Sequence, residues 1–395
     1  MVNTSFRFTL LVVGSAVGFL SLTACQSGRT VPNAANVSAR HSGTGVQPYV
    51  WVANSLLEGN GTTASLSAFG AGGEPVFAIQ GNLTQLGPDI YGMVANEQNG
   101  DIYVANYNFN LTGVTNPPIV VFSNTANGNL SPKATLNSTA IGAGGISVTL
   151  DPSEDIWVGQ GWTNFSQPYV LEFAKGAHGK NVAPIATIEG AKTMLTGNVD
   201  EVATDKFGNV YAIGDTASPA AAIIAEFASG TNGNKPPLRY IAGDATGLPA
   251  SCSVMGITVD TEGKIYEVNG CSNYQPSIRI FLASEMGNVP PAIVIQGPNT
   301  RLNQPVSVAV DENGNIYVAD NGADETLVFA SGASGDATPI RILPLNPGAT
   351  PPSAVTLCNA APPCEGIGSI KRRARGAAPS RFAQHARTDL RSRGH

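Results

Sequence analysis

The 395 residues carry 22 basic and 28 acidic side chains and only four histidines. Eight of the basic residues lie between Lys371 and His395, where Asp389 is the one acid, so the chain before them holds 14 basic against 27 acidic residues, a net charge of −13. An acidic body excludes nucleic acid as a partner. The four histidines, at 41, 178, 385 and 395, fall in a tether, a turn and a tail, which leaves nothing from which to assemble a Ser/His/Asp triad.

In chain order, Arg7 precedes an apolar run from Phe8 to Leu22, the pattern of an export signal over residues 1–24 and too short for a membrane span. The run ends in Leu22-Thr23-Ala24-Cys25, which resembles the lipobox of bacterial lipoproteins. That resemblance implies lipidation of Cys25 and a chain anchored on the periplasmic side or at the outer membrane or cell surface. Residues 25–47 lack hydrophobic periodicity and read as a flexible tether.

From residue 48 a repeat takes over. Trp51, Tyr103, Trp157, Tyr211, Tyr266 and Tyr317 recur every 51 to 55 residues, and Phe69, Phe122, Phe173, Phe227, Phe281 and Phe329 keep step with them. A period near fifty with short alternating β-branched runs selects a propeller. In the last unit, Val306–Asp311 reads as strand a, Asp311–Asn315 as a turn with Gly314 at positive φ, Ile316–Asp320 as strand b, Thr326–Phe329 as strand c and Ile340–Leu343 as strand d. Six such units predict an all-β, six-bladed propeller with four antiparallel strands per blade over residues 48–366. The twelve aromatics are expected to fill the space between blades. The first unit lacks a strand a, and Pro352–Cys358 aligns with Pro305–Asp311, so residues 353–357 are expected to complete the first blade and close the ring. Residues 367–395 read as a basic disordered tail, whose charge suits anionic lipid headgroups.

Four cysteines remain besides Cys25. A hairpin in which Val259 faces Lys264 has a constant index sum of 523, which also pairs Cys252 with Cys271, and Cys358 with Cys364 brackets a short loop. Two disulfides are therefore expected in an oxidising compartment.

Tyr317-Val-Ala-Asp320, Tyr103-Val-Ala-Asn106 and Phe227-Ala-Ser-Gly230 with Pro237-Leu-Arg-Tyr-Ile241 resemble the NHL-repeat β-propellers. The resemblance implies the fold and leaves function open, because this architecture hosts binding modules and enzymes alike. The b–c connections are long, amide-rich and aromatic, and Tyr107, Phe109, Trp162, Asn164, Phe165 and Tyr274 are candidate ligand contacts on the b–c/d–a face, for a glycan or an envelope protein. The expectation is a monomeric, noncatalytic binding or scaffold protein without a cofactor. The alternative comes from the gluconolactonase-like and paraoxonase-like relatives, which hold a divalent cation in the axial channel. It would place calcium on Asn198, Asp200 and Asn303 in a metal-dependent hydrolase or lactonase.

Overall fold

A computed structural model describes residues 49–55, 64–107, 116–141, 147–160, 169–217, 220–248, 255–270, 274–345 and 348–358. Cys25, Phe109, Trp162, Asn164, Phe165, Cys252, Cys271, Cys364, the export signal, the tether and the tail lie outside them.

Six four-stranded antiparallel sheets form the ring. Blade one combines β24 (Pro352–Leu357) with β1 (Val50–Asn54), β2 (Ser65–Phe69) and β3 (Pro75–Ile79). Blade two is β4 (Asp89–Ala95), β5 (Ile102–Tyr107), β6 (Ile119–Phe122) and β7 (Ala134–Leu136). Blade three is β8 (Ser147–Leu150), β9 (Ile156–Gln160), β10 (Tyr169–Phe173) and β11 (Ala186–Glu189). Blade four is β12 (Val199–Thr204), β13 (Val210–Ala217), β14 (Ala220–Phe227) and β15 (Arg239–Ala242). Blade five is β16 (Met255–Val259), β17 (Ile265–Asn269), β18 (Ser277–Phe281) and β19 (Ile293–Ile295). Blade six is β20 (Pro305–Val310), β21 (Ile316–Asp320), β22 (Glu325–Phe329) and β23 (Arg341–Leu343). The expected clasp is present: β24 pairs antiparallel with β1 from Val50↔Leu357 to Asn54↔Pro352. Among the described residues no helix is long and apolar enough to cross a membrane.

The core divides into six clusters, one at each junction between blades. In each, the Trp or Tyr of one blade's second strand lies with the Phe of the next blade's third strand. The pairs are Trp51 with Phe122, Tyr103 with Phe173, Trp157 with Phe227, Tyr211 with Phe281, Tyr266 with Phe329 and Tyr317 with Phe69. A sheet standing radially has two apolar faces, and only neighbouring sheets can cover both. The aromatic's polar atom turns back into its own blade. Trp157 Nε1, Tyr211 Oη and Tyr266 Oη donate to Asp151, Asp205 and Asp260, six residues upstream in each case, at 3.3, 3.3 and 3.1 Å. Those aspartates also cap the a–b turns, as when Asp205 Oδ1 accepts from Phe207 N and Asn209 N. Blade one has no such turn, Cys358 follows β24 instead, and Trp51 Nε1 is buried without a partner.

The Gly-Asn pair of the repeat ties blades together at the rim. Gly128 N donates to Ala78 O at 2.6 Å, Gln80 N donates to Gly128 O, and Asn129 Oδ1 accepts from Leu83 N at 2.8 Å. The same staple recurs at Gly287 and Asn288, whose Oδ1 accepts from Ala245 N. Gly128 and Gly287 have φ of 85° and 77°, a conformation that a side chain disfavours.

One register differs from expectation. Val259 faces Ile265, not Lys264, and Met255 faces Asn269, an index sum of 524. The cause is the capped turn: Asp260 N donates to Lys264 O, and Asp260 Oδ1 accepts from Glu262 N and Lys264 N, so the turn takes in Lys264. The corrected register removes the facing argument for Cys252 with Cys271.

A chain ending before Pro352 loses β24 and leaves one edge of β1 and the Tyr317–Phe69 junction open. It should lose the cooperative thermal transition in a calorimetric scan, while a chain ending at Ile370 should melt within about 2 °C of the full chain.

Candidate functional site

An innermost strand presents one edge to the axis, so its outward N–H groups need acceptors from elsewhere. The preceding blade supplies them. Ser147 Oγ accepts from Val202 N at 2.9 Å, Ser307 Oγ accepts from Val355 N at 3.2 Å and Glu201 Oε2 accepts from Ile257 N at 2.9 Å. Ser147, Glu201 and Ser307 occupy one register, facing Gly159, Ile213 and Ala319. Blade four thus puts a carboxyl where two others put a hydroxyl. Burial pushes the Glu201 carboxyl well above the usual range; the Ile257 N–H opposes this and Asp200 adds to it.

Four inner strands begin with a β-bulge. Tyr91, Asp200, Val306 and Ser353 are each the extra residue between ladder pairs. A bulge re-aims its side chain, and here it does so at the mouth of the channel where the b–c loops emerge. The same mouth carries the residue three past the Trp or Tyr of each second strand, Asn54, Asn106, Gln160, Asn269 and Asp320, all buried. Asp320 and Asn106 act as struts for the d–a connections. Asp320 accepts from Asn303 N, Gln304 N and Ala323 N at 2.7–3.0 Å, and burial still raises its pKa. Asn106 accepts from Gly87 N and donates to Gln85 O and Pro117 O. Asn54 Nδ2 and Asn269 Oδ1 are buried without a partner. Gly214 stands at this position in blade four because an added Cβ would lie 1.9 Å from Asn198 O.

Of the candidate contacts, Tyr107 ends β5, half-buried, with its ring edge-on to Tyr91 at 5.2 Å between centroids and 85° between planes. Burial, then Asp89, raises its phenol pKa. Tyr274 is exposed. For the cation alternative, Asp200 is buried at the bulge, Asn198 is partly buried beside it, and Asn303 is exposed in blade six with its amide donating to Gly322 O at 2.6 Å. Among the described residues, no hydrogen bond joins these three.

The opposite mouth was not visible in the sequence. A cavity of about 380 Å³ opens there, walled by Thr149, Thr204, Thr258 and Thr356 and rimmed by the turn aspartates. Thr149, Thr258 and Thr356 share a register, each facing the blade's Trp or Tyr. That pattern becomes meaningful only once the inner strands are known to converge.

The NHL repeat matches residues 302–323, which covers the end of the d–a connection through β21. No curated protein matches the chain. Among solved structures, a protein of unknown function from Bacteroides caccae is similar at 9% identity over 78% of this chain and 98% of that one, with a TM-score of 0.48. A Lactobacillus plantarum protein is similar at 10% identity over the same shares, with a TM-score of 0.45. The WD40 domain of Toxoplasma gondii coronin is similar at 13% identity over 72% of this chain and 66% of that one, with a TM-score of 0.40. The matched repeat and the six-bladed ring together support an NHL-repeat propeller.

Glu201 supplies a pH test. A carboxyl raised in the folded state costs nothing below its unfolded pKa of about 4.3 and costs progressively more stability as pH rises above it. Glu201→Gln keeps the acceptor for Ile257 N and removes the titration. The variant should melt at least about 2 °C above wild type at pH 8, with the difference vanishing near pH 4 in a pH series of melting scans.

Proposed function

We propose that this chain is an envelope-anchored, noncatalytic propeller that binds a glycan or an extended peptide through its b–c/d–a face. The observation that carries the reading is the Tyr91–Tyr107 pair, with Tyr91 at the bulge of β4 and Tyr107 at the end of β5, in edge contact at that mouth. An aromatic pair in edge contact at that mouth suits the apolar face of a sugar or the side chains of an extended peptide. Phe109, Trp162, Asn164 and Phe165, which the sequence places between second and third strands, would extend the surface. Two acids of this mouth have structural tasks: Asp320 accepts from three backbone N–H groups and Glu201 from one.

Anchoring through Cys25 and an oxidising compartment complete the proposal. Cys358, buried at the end of the clasp, would pair with Cys364 in such a compartment.

The paired change Tyr107→Ala and Trp162→Ala should lower retention on arrays of envelope glycans and extended peptides by at least about tenfold, with melting unchanged. Retention equal to wild type would remove this face. Metabolic labelling with palmitate should be lost on Cys25→Ser. Labelling that persists would refute the anchor and leave the face untouched.

A further inference from the structure

The repeat provides an internal control for charge at the corner where the a–b turn meets the third strand. In blade two, Lys133 Nζ pairs with Asp101 at 2.7 Å. In blade five, Lys264 Nζ lies 3.9 Å from Asp260. In blade four, Asp205 and Glu226 share the corner with two donors. Asn209 Nδ2 bridges Asp205 Oδ2 and Glu226 Oε1 at 2.9 and 3.3 Å, and Arg239 pairs with Glu226. Each of these corners contains its own cation.

Blade three keeps the acids and lacks the cation. Asp151 matches Asp205, and Glu172 faces Trp157 as Glu226 faces Tyr211. The residue opposite Glu172 on the outer strand is Ala186, where blade four has Arg239. Four residues past the turn aspartate stands Asp155 in place of Asn209. One donor has become an acid and the other a methyl group. The Lys175 side chain pairs with Glu154 instead. One oxygen from each of Asp151, Asp155 and Glu172 lies within 4.8 Å of the others.

Glu172 is the independent sign of a ligand. It is only 9% exposed, comes from β10 rather than from the turn, and has no hydrogen-bond or ion-pair partner among the described residues. Its two neighbours are otherwise employed: Asp151 accepts from Ser153 N, Asp155 N and Trp157 Nε1, and Asp155 Oδ1 accepts from Lys175 N. Three carboxylates that converge without a counter-charge repel one another, and a cation between them removes that cost.

We propose that blade three binds a divalent cation through Asp151, Asp155 and Glu172, with the ion taking the place that Arg239 fills in blade four. Three carboxylates and no nitrogen or sulfur donor make it a hard-cation site, and the half-exposed Asp151 and Asp155 leave room for the waters that calcium retains. The site lies on the a–b turn face, opposite the proposed ligand face and away from Asn198, Asp200 and Asn303. Its role is structural or calcium-sensing, and it stands whether or not the loops bind a glycan.

Trp157 makes the test direct, since its indole donates to Asp151 at 3.3 Å. Terbium added to the full chain should give emission sensitised by tryptophan, and calcium should displace it with a Kd on the order of 0.1–1 mM. Ala186→Arg rebuilds the blade-four corner and should weaken calcium at least about tenfold while leaving melting of the calcium-free protein equal to or above wild type. Asp155→Asn and Glu172→Gln should weaken it similarly, and either can stand in if the other fails to fold. Equilibrium dialysis that finds no calcium bound at about 10 mM would overturn the proposal. So would calcium binding unchanged in Ala186→Arg and Glu172→Gln, which would place the ion elsewhere.

Discussion

Everything in this ring depends on one contact repeated at each junction: the Trp or Tyr of one blade packed with the Phe of the next. All six phenylalanines are essentially excluded from solvent, and burying such a ring contributes about 1.5–3 kcal/mol each. No blade can make this contact alone, because a radial sheet has an apolar face on each side. The last junction needs both chain ends, since Val50 and Val52 from β1 and Val355 and Leu357 from β24 share a cluster with Tyr317 and Phe69. Closure is therefore a condition of the fold rather than an ornament on it. The turn aspartates refine the arrangement by holding the aromatic's polar atom inside its own blade. Where blade one is made from two ends, that bond is missing and the Trp51 indole is left unmatched.

A closed ring creates a second constraint at its centre. Inner-strand N–H groups face the axis, and side chains of the preceding blade satisfy those of Val202, Ile257 and Val355. Serine does this without charge at Ser147 and Ser307. Glutamate at 201 does it with a carboxyl whose ionised form is disfavoured there. The bulges at Tyr91, Asp200, Val306 and Ser353 show how the same strands shift phase by one residue at the loop-bearing mouth. Function is most readily placed at such interruptions, because the regular part of each blade is committed to its neighbours.

Repetition also makes differences between blades interpretable. Asn209 and Arg239 neutralise the acids of blade four, and the exchange of both for Asp155 and Ala186 in blade three changes the electrostatics without changing the backbone. The comparison needs no relative outside the chain. It holds because the ladder registers of the two blades agree at each position that matters.

The sequence by itself determined the period, the four strands per blade, the clasp and the role of the twelve aromatics, because these rest on apolar periodicity and turn chemistry, which are local. It also carried the Tyr-Val-Ala-[Asp/Asn] ending, whose last residue props the d–a connection through Asp320 and Asn106. It misplaced the fifth blade's hairpin by one residue, because the reach of the Asp260 cap is a property of the folded turn. Only the tertiary structure decided which residues meet. The bulges are phase shifts that leave no mark on composition. The threonine-lined cavity joins residues of different blades through the convergence of inner strands on one axis, and the three-acid corner joins the a–b turn of blade three to β10 through the β9–β10 ladder.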